Sequence, residues 1–447
     1  MEPGAQLLAS HPERRPIARL AKGNAVGRAR RYRPAVRICH PRPWVVSALI
    51  LLATGCERRQ PPPAPAAANT PVSSASRSTT EPPAASVPSA SLSAAGSIAT
   101  ADTTAPLVAI PDSEFAQAFH DLSEPGEYFF SDNTISNETY YLQVARSLER
   151  RVRPGGAYLG VGPEQNFTYI ALTHPKIAFI IDIRRDNALL HLLYKAIFHQ
   201  AKTRTQFVAM LLGRPYDPTG EPEATAGVRA VLAHAQKRAA DEDSFRNVHR
   251  SLFALIEGWG ISLSPRDVSR LEAIHRSFFE AQLALKFELR EANGRKYPTL
   301  EELLEARDPA GSELGFLATH EAFLTVRRLE RLNRVIPVVG DFAGTHALQS
   351  VAIELKRRRI EVGSFYVSNV EQYLFEPAKW SQYVTNIESL PLRDDALFVR
   401  CYLDQGRRHP QQLEGHRTTT LLMPLAGFLE RQKQGGYRTF WQLATDS

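Results

Sequence analysis

The sequence predicts an α/β domain built on an open, mostly parallel sheet with a helical insertion. Three observations carry that expectation. Continuous apolar runs at residues 158–161 and 178–183 suit parallel strands buried on both faces. Between them a glycine loop, Gly160-Val161-Gly162-Pro163-Glu164-Gln165-Asn166, leads into a helix. Strand and helix patterns then alternate again from about residue 335 to the end of the chain.

Taken in order, residues 1–55 read as a signal peptide behind an extended basic leader. Ten Lys/Arg precede Cys56 against Glu2 and Glu13, so the whole-chain net charge of +7 belongs to the leader and the remainder carries −1. A sequence pI of about 9.3 therefore makes no case for a nucleic-acid partner. The leader closes on about ten apolar residues, from Trp44 to Ala53, and then Thr54-Gly55-Cys56. That stretch is too short to span a bilayer and suits a secretory signal. The small residues before the cysteine resemble the lipobox of bacterial lipoproteins. The resemblance implies a diacylated Cys56, a membrane anchor and a domain held in the cell envelope outside the inner membrane. The alternative is a chance apolar stretch with a free cysteine.

Residues 56–111 follow as a tether of Pro, Ala, Ser and Thr with too little apolar surface to fold. As a flexible coil it spans roughly 40 Å. With Cys39 in the leader and Cys56 lipidated, only Cys401 remains, so the mature body has no intrachain disulfide and depends on its core.

The body, residues 112–447, opens on a loop-rich stretch and a helix expected at 138–151. The dense polar run at 131–138 reads either as turn and cap chemistry or as a segment folded over a ligand site. The first strand, glycine loop and second strand follow, the latter ending on Asp182. Asp186 or Asn187 is expected to cap the next helix, whose apolar face includes Leu189, Leu193 and Ile197. Residues 201–334 keep a helical pattern too long for a loop and read as a helical insertion or cap. Val268, Leu271, Ile274 and Phe278 fall at helical spacing, and Thr299/Glu302 form a capping box. A third strand at 335–339 ends on Gly340-Asp341-Phe342. Its helix closes on Lys356-Arg357-Arg358-Arg359, which suits the negative end of the helix dipole. Strands at 363–367 and 396–403, a helix at 380–390 and a final strand-helix region complete the domain.

The loop itself narrows the ligand. Dinucleotide sites want G-x-G-x-x-G, and here Gln165 takes the third glycine position. Glu164 at the helix start repels a phosphate. A phosphate-free, adenosine-type small molecule fits better than NAD. At this point the residues resemble Rossmann-like S-adenosylmethionine-dependent methyltransferases. The resemblance implies that Gly160, Gly162, Pro163 and Asn166 contact the cofactor's amino-acid end. It implies a ribose acceptor in Asp182 and an adenine-holding turn at Asp341 and Phe342. Ser368 and Asn369 would face the methyl acceptor, with Glu371 beside them as a candidate base; Tyr373 and, more remotely, His346 are further candidates. The chain departs from that pattern at Tyr158 and Leu159, where an acid is usual, at Gln165, and in the insertion. It also resembles an uncharacterised bacterial family whose members carry stretches similar to 131–138, 156–187 and 368–373.

Other constellations fail. His320-Glu321 starts a zincin-like pattern, but Leu324 stands where the second histidine would be. Glu272-x-x-His275 has no twin, so no metal site is expected. Cys401 lies in a strand and reads as core. Two functions remain: an exported methyltransferase-like lipoprotein acting on an unknown acceptor, or a non-catalytic envelope binding or scaffold lipoprotein that kept the fold. They collide over S-adenosylmethionine, which is made in the cytoplasm.

Overall fold

The computed structural model describes residues 106–132, 134–287 and 296–446. The expected signal peptide, Cys56 and most of the tether lie outside the described residues. Six strands form one sheet: β1 (Ala157–Gly160), β2 (Ile177–Asp182), β3 (Val335–Val339), β4 (Val362–Ser368), β5 (Leu392–Leu403) and β6 (Thr418–Pro424). Their order is β3-β2-β1-β4-β5-β6. β1 to β5 pair in parallel, and β6 runs antiparallel along β5. The arrangement is a mixed, mostly parallel α/β sheet compatible with a Rossmann-like fold.

That order positions the site. The chain builds β1, β2 and β3 toward one edge, then crosses back to lay β4 on the other side of β1. Right-handed crossovers therefore send the helices of the two halves to opposite faces. Between the tips of β1 and β4 the connections diverge and leave the crevice where open α/β sheets bind ligands.

The helices are α1 (Asp112–Asp121), α2 (Ala145–Arg151), α3 (Gln165–Thr173), α4 (Arg185–Gln200), α5 (Arg204–Leu211), α6 (Val228–Ala235), α7 (Glu242–Gly258), α8 (Pro265–Ala281), α9 (Leu300–Leu304), α10 (His320–Arg331), α11 (Ala347–Arg358), α12 (Pro377–Ser389), α13 (Leu425–Lys433) and α14 (Phe440–Thr445). The helix expected at 138–151 is shorter: a 3-10 turn at Tyr141–Val144 precedes α2. Its first residue stays outside the helix, with the Glu138 carboxylate held by Tyr366 and Ser368 of β4. Nor do Asp186 and Asn187 cap α4. The N-cap is Arg184, whose N–H is received by Asp182 Oδ1 at 2.9 Å, so Asn187 lies inside the first turn.

The insertion is built into the core. α4 is buried nearly all round, between the sheet and helices α7, α8 and α10. Phe198 of α4 meets Phe207 at 4.5 Å and Phe323 at 5.6 Å, while Phe167 of α3 meets Phe316 at 5.4 Å. Each such ring contributes about 1.5–3 kcal/mol by its burial, which fixes the insertion in place. Two ion pairs tie α8 to the first turn of α4: Arg185 to Asp267 at 2.7 Å and Arg270 to Asp186. Both capping boxes of this region form, Ser264/Asp267 on α8 and Thr299/Glu302 on α9. Among the described residues no helix is long and apolar enough to cross a membrane.

Candidate functional site

Three stretches far apart in sequence meet at the tips of β1, β2 and β4: the polar run 131–138, the glycine loop and the end of β4. The loop is held by its own side chains. Asn166 sends its amide N–H groups to the carbonyls of Val161, Gly162 and Pro163 at 2.8–3.0 Å, and its Oδ1 accepts the Tyr158 hydroxyl at 2.8 Å. A Cβ on Gly160 would stand 2.0 Å from Asn166 Oδ1 and 2.7 Å from the Tyr158 ring. The glycine is thus required by residues of this chain, whatever ligand approaches. Gly162 differs: its φ is +78°, and a Cβ there would meet nothing within 4 Å.

Residues 123–138 run along the sheet tips from β3 to β4. Glu124 N–H donates to Val339 O at 2.9 Å, and its carboxylate receives Asp341 N–H at 2.6 Å. Glu127 N–H donates to Ile183 O at 2.8 Å, and the Asp132 carbonyl accepts from Arg184. Ser136 gives its N–H to Glu164 at 3.2 Å and its hydroxyl to Gln165 at 2.6 Å. Glu138, 1% exposed, receives Tyr366 OH at 2.7 Å, Ser368 OH at 2.5 Å and the Gln165 amide at 2.9 Å. Burial pushes its carboxyl above the usual range, against the pull of those donors. Of the two alternatives for 131–138, this geometry is that of a segment folded over the crevice.

The expected cofactor residues divide into two groups. Gly160, Gly162, Pro163, Asn166 and Asp182 do gather at the switch point. Asp182, however, is 5% exposed and ion-paired with Arg184 at 3.2 Å, while Arg184 N–H takes its other oxygen. Asp341 spends its own carboxylate on Ala343 N–H at 2.9 Å. Phe342 turns away from the crevice into the core, edge-on to Phe365 at 5.0 Å. Ser368 sits at the tip of β4 in the left-handed region, φ 51°, a strained conformation for a residue with a Cβ. Asn369 is half-buried beside it and within reach of the Ser368 hydroxyl at 3.3 Å. Glu371 is fully buried, receives Tyr383 OH at 2.9 Å and forms a two-pronged pair with Arg400. His346 bonds to the Asp121 carbonyl at 2.8 Å, away from β4.

Sequence reasoning passed over Glu138, Arg184, Asn187 and His191. His191 is 1% exposed and bonds through Nε2 to Gly162 O at 2.9 Å; burial holds its imidazole down to about 4. Burial pushes Glu164 up to about 7, with its own N–H and that of Ser136 pulling the other way. Phe129, Phe130 and Tyr373 form an aromatic cluster whose Phe130 and Tyr373 rings are exposed and 6.2 Å apart. The open depression of about 510 Å³ at the start of α10, lined by Thr319, His320 and Arg328, lies away from these groups.

The groups expected to hold S-adenosylmethionine are engaged within the chain. The acid for the ribose is ion-paired within the chain, the first glycine is filled by Asn166, and the adenine turn is bonded to Glu124. No group of three or more His, Cys, Asp or Glu among the described residues is arranged to hold a metal ion. No curated protein matches the chain in sequence. A family model does match, over residues 133–442, a span that takes in the glycine loop and the insertion and ends within the last helix. The chain belongs to that family, described as Domain of unknown function (DUF7790).

Proposed function

We propose that this chain is a lipid-anchored envelope protein whose Rossmann-like domain serves as a binding module and does not transfer methyl groups. One observation carries the reading: Asp182 is committed to Arg184, which in turn is latched to the segment crossing the sheet tips. A cofactor crevice in use leaves its recognition groups to the ligand, whereas these are satisfied by the chain. The lipobox-like Thr54-Gly55-Cys56 and the tether supply the anchor in this reading.

Titration of the full chain, in detergent, with S-adenosylmethionine and S-adenosylhomocysteine tests it. The expected result is no saturable heat at millimolar ligand. Saturable binding that Asp182→Ala abolishes would overturn the reading. Acyl labelling that persists in Cys56→Ser would remove the anchor.

The methyltransferase reading keeps two specific supports. The strand order and the strained Ser368 at the β4 tip suit an acceptor-facing position. The same titration decides between the two.

A further inference from the structure

The end of the sheet opposite the crevice collects positive charge. β1 to β5 run in parallel, and their first residues stand side by side: Leu392 beside Val362, Val362 beside Ala157, Ala157 beside Ile177, and Ala178 beside Val335. At about 4.8 Å per strand the row is roughly 20 Å wide. Helices α2, α10 and α11 run back to it, each ending a few residues ahead of a strand: α2 before β1, α10 before β3, α11 before β4.

Every one of these approaches is basic. α2 closes on Arg150 and Arg151, α10 on Arg328 and Arg331, and α11 on Lys356 to Arg359. Hydrogen bonds to the backbone join neighbouring approaches. Arg393, at the start of β5, donates to Arg153 O at 2.8 Å; Lys176 N–H donates to Gly156 O at 2.9 Å; Arg334 donates to Lys176 O at 3.0 Å. Burial lowers the pKa of the Arg334 guanidinium, and the nearby charges of Arg358 and Arg328 lower it further.

Cations at a helix C-terminus ordinarily complement the helix dipole, about half a charge per helix. Here the local acids are already spent. Glu114 and Glu354 pair with Arg357 and Arg358, and Asp394 and Asp395 with Arg153 and Arg393. Arg150, Arg151, Arg328, Arg331, Lys356 and Arg359 are exposed, and among the described residues none of them has an ion-pair partner. Half-buried Lys176 and Arg334 bring the unpaired cations to eight, against four exposed acids, Asp112, Glu149, Glu361 and Glu388. Because the chain from Cys56 onward carries −1, this excess is a separation of charge within the domain.

The chain also enters the domain at this end. Ile110 N–H donates to Leu332 O at 2.9 Å, and Arg334 donates to Val108 O at 2.9 Å. Val108 is 74% exposed, an apolar side chain among the cations. In the reading above, the segment before it leads back to an acylated Cys56, so bilayer anchor and basic end belong to the same side of the domain. Anionic headgroups reward that arrangement by about fivefold in affinity for each Lys or Arg at the surface. A polymeric anion would use the charge but not Val108 or the anchor.

We propose that the basic end of the sheet lies on the surface of an anionic phospholipid bilayer, with the ends of α2, α10 and α11 against the headgroups and the crevice facing away. The proposal rests on the lipid-anchor reading and names the membrane's charge and the domain's orientation on it.

Competition between two vesicle populations tests it. The full chain, added from dilute detergent, distributes between phosphatidylcholine vesicles and sucrose-loaded vesicles of phosphatidylcholine and phosphatidylglycerol in equal parts, which sedimentation separates. An acyl anchor serves both populations alike, so the ratio reads charge. Lys356→Glu/Arg359→Glu and, separately, Arg150→Glu/Arg151→Glu should each lower the preference for the anionic vesicles by about tenfold or more. Arg266→Glu/Lys379→Glu makes the same charge change at the crevice end, on the first turns of α8 and α12, and should leave the preference unchanged. Equal losses in all three pairs, or no loss in the first two, would overturn the proposal. Retention on heparin without any preference between the vesicles would also overturn it and make the partner an anionic polymer. Acyl labelling that persists in Cys56→Ser overturns the anchor instead, whatever the vesicle ratio, so the two failures are distinguishable.

Discussion

If Gly160 is required by its own neighbours, its replacement must couple to theirs. In Gly160→Ala the new methyl lands 2.0 Å from Asn166 Oδ1 and 2.7 Å from the Tyr158 ring. Overpacking of that kind costs about 1–3 kcal/mol, with the upper end expected where a fixed amide is the obstacle. Asn166→Ala removes four hydrogen bonds. It strands Val161 O and the Tyr158 hydroxyl, while Gly162 O keeps His191 and Pro163 O keeps the backbone N–H of residue 166. Two buried groups at about 1–3 kcal/mol each suggest a loss on the order of 2–6 kcal/mol. In the double variant the nearest obstacle is gone and the alanine methyl occupies part of the amide's space. The combined loss should then fall short of the sum by about 1–3 kcal/mol. Urea unfolding of the four chains, followed by tryptophan fluorescence, supplies the cycle. Additivity within about 0.5 kcal/mol would refute the reasoning and restore a ligand as the reason for the glycine.

Further perturbations test the rest of the network. Glu164, raised to about 7 in the folded chain, holds more protons folded than unfolded, so its contribution is favourable below about pH 4.5 and is lost as pH rises through 7. The change amounts to about 3 kcal/mol. Glu164→Gln should lack that loss in urea midpoints between pH 5 and 8. His191, held near 4, works in the opposite sense and gains stability as pH rises from 4 to 6.5, so the glutamine variant should become more stable over that window; an unchanged profile would count against both assignments. Arg184→Ala unlatches the Asp132 carbonyl and should speed amide exchange at 124–132 while leaving β6 protected, as read by mass spectrometry. Arg400→Met strands the fully buried Glu371 and should cost about 3–5 kcal/mol, largely recovered in Arg400→Met/Glu371→Leu; equal losses in the two chains would place the stabilisation elsewhere.

What the sequence disclosed follows from how local each signal is. The buried strands announce themselves as unbroken apolar runs because both faces of β1 and β2 are covered, and the Thr299/Glu302 box is complete within four residues. Strand order is different, since nothing in β3 says that the chain returns beside β1. Glu138 was hidden for the same reason. It stands at the head of a helical pattern, yet its partners Tyr366 and Ser368 are 228 and 230 residues away. The Asp182–Arg184 pair was within reach, because an acid at a strand end and a guanidinium two residues on share the same turn. The unpaired atoms of Asn187 and His191 could not be seen, for a missing partner is a property of the packed interior.

Magnitudes explain why that pair weighs so heavily. A ribose offering two hydroxyls to Asp182 would gain hydrogen bonds to a charged group, about 1.5–3 kcal/mol each. Where those bonds replace the Arg184 pair rather than use the carboxylate's two remaining acceptor sites, the guanidinium is left buried with the Asp132 carbonyl alone. Stranding one partner of a buried pair costs about 3–5 kcal/mol. The gain and the cost nearly cancel before any entropy of binding is counted. Adenine would meet the same difficulty at Asp341, whose N–H is already held by the Glu124 carboxylate. At the strand tips of this chain, then, the recognition groups a nucleoside would use are already engaged with one another.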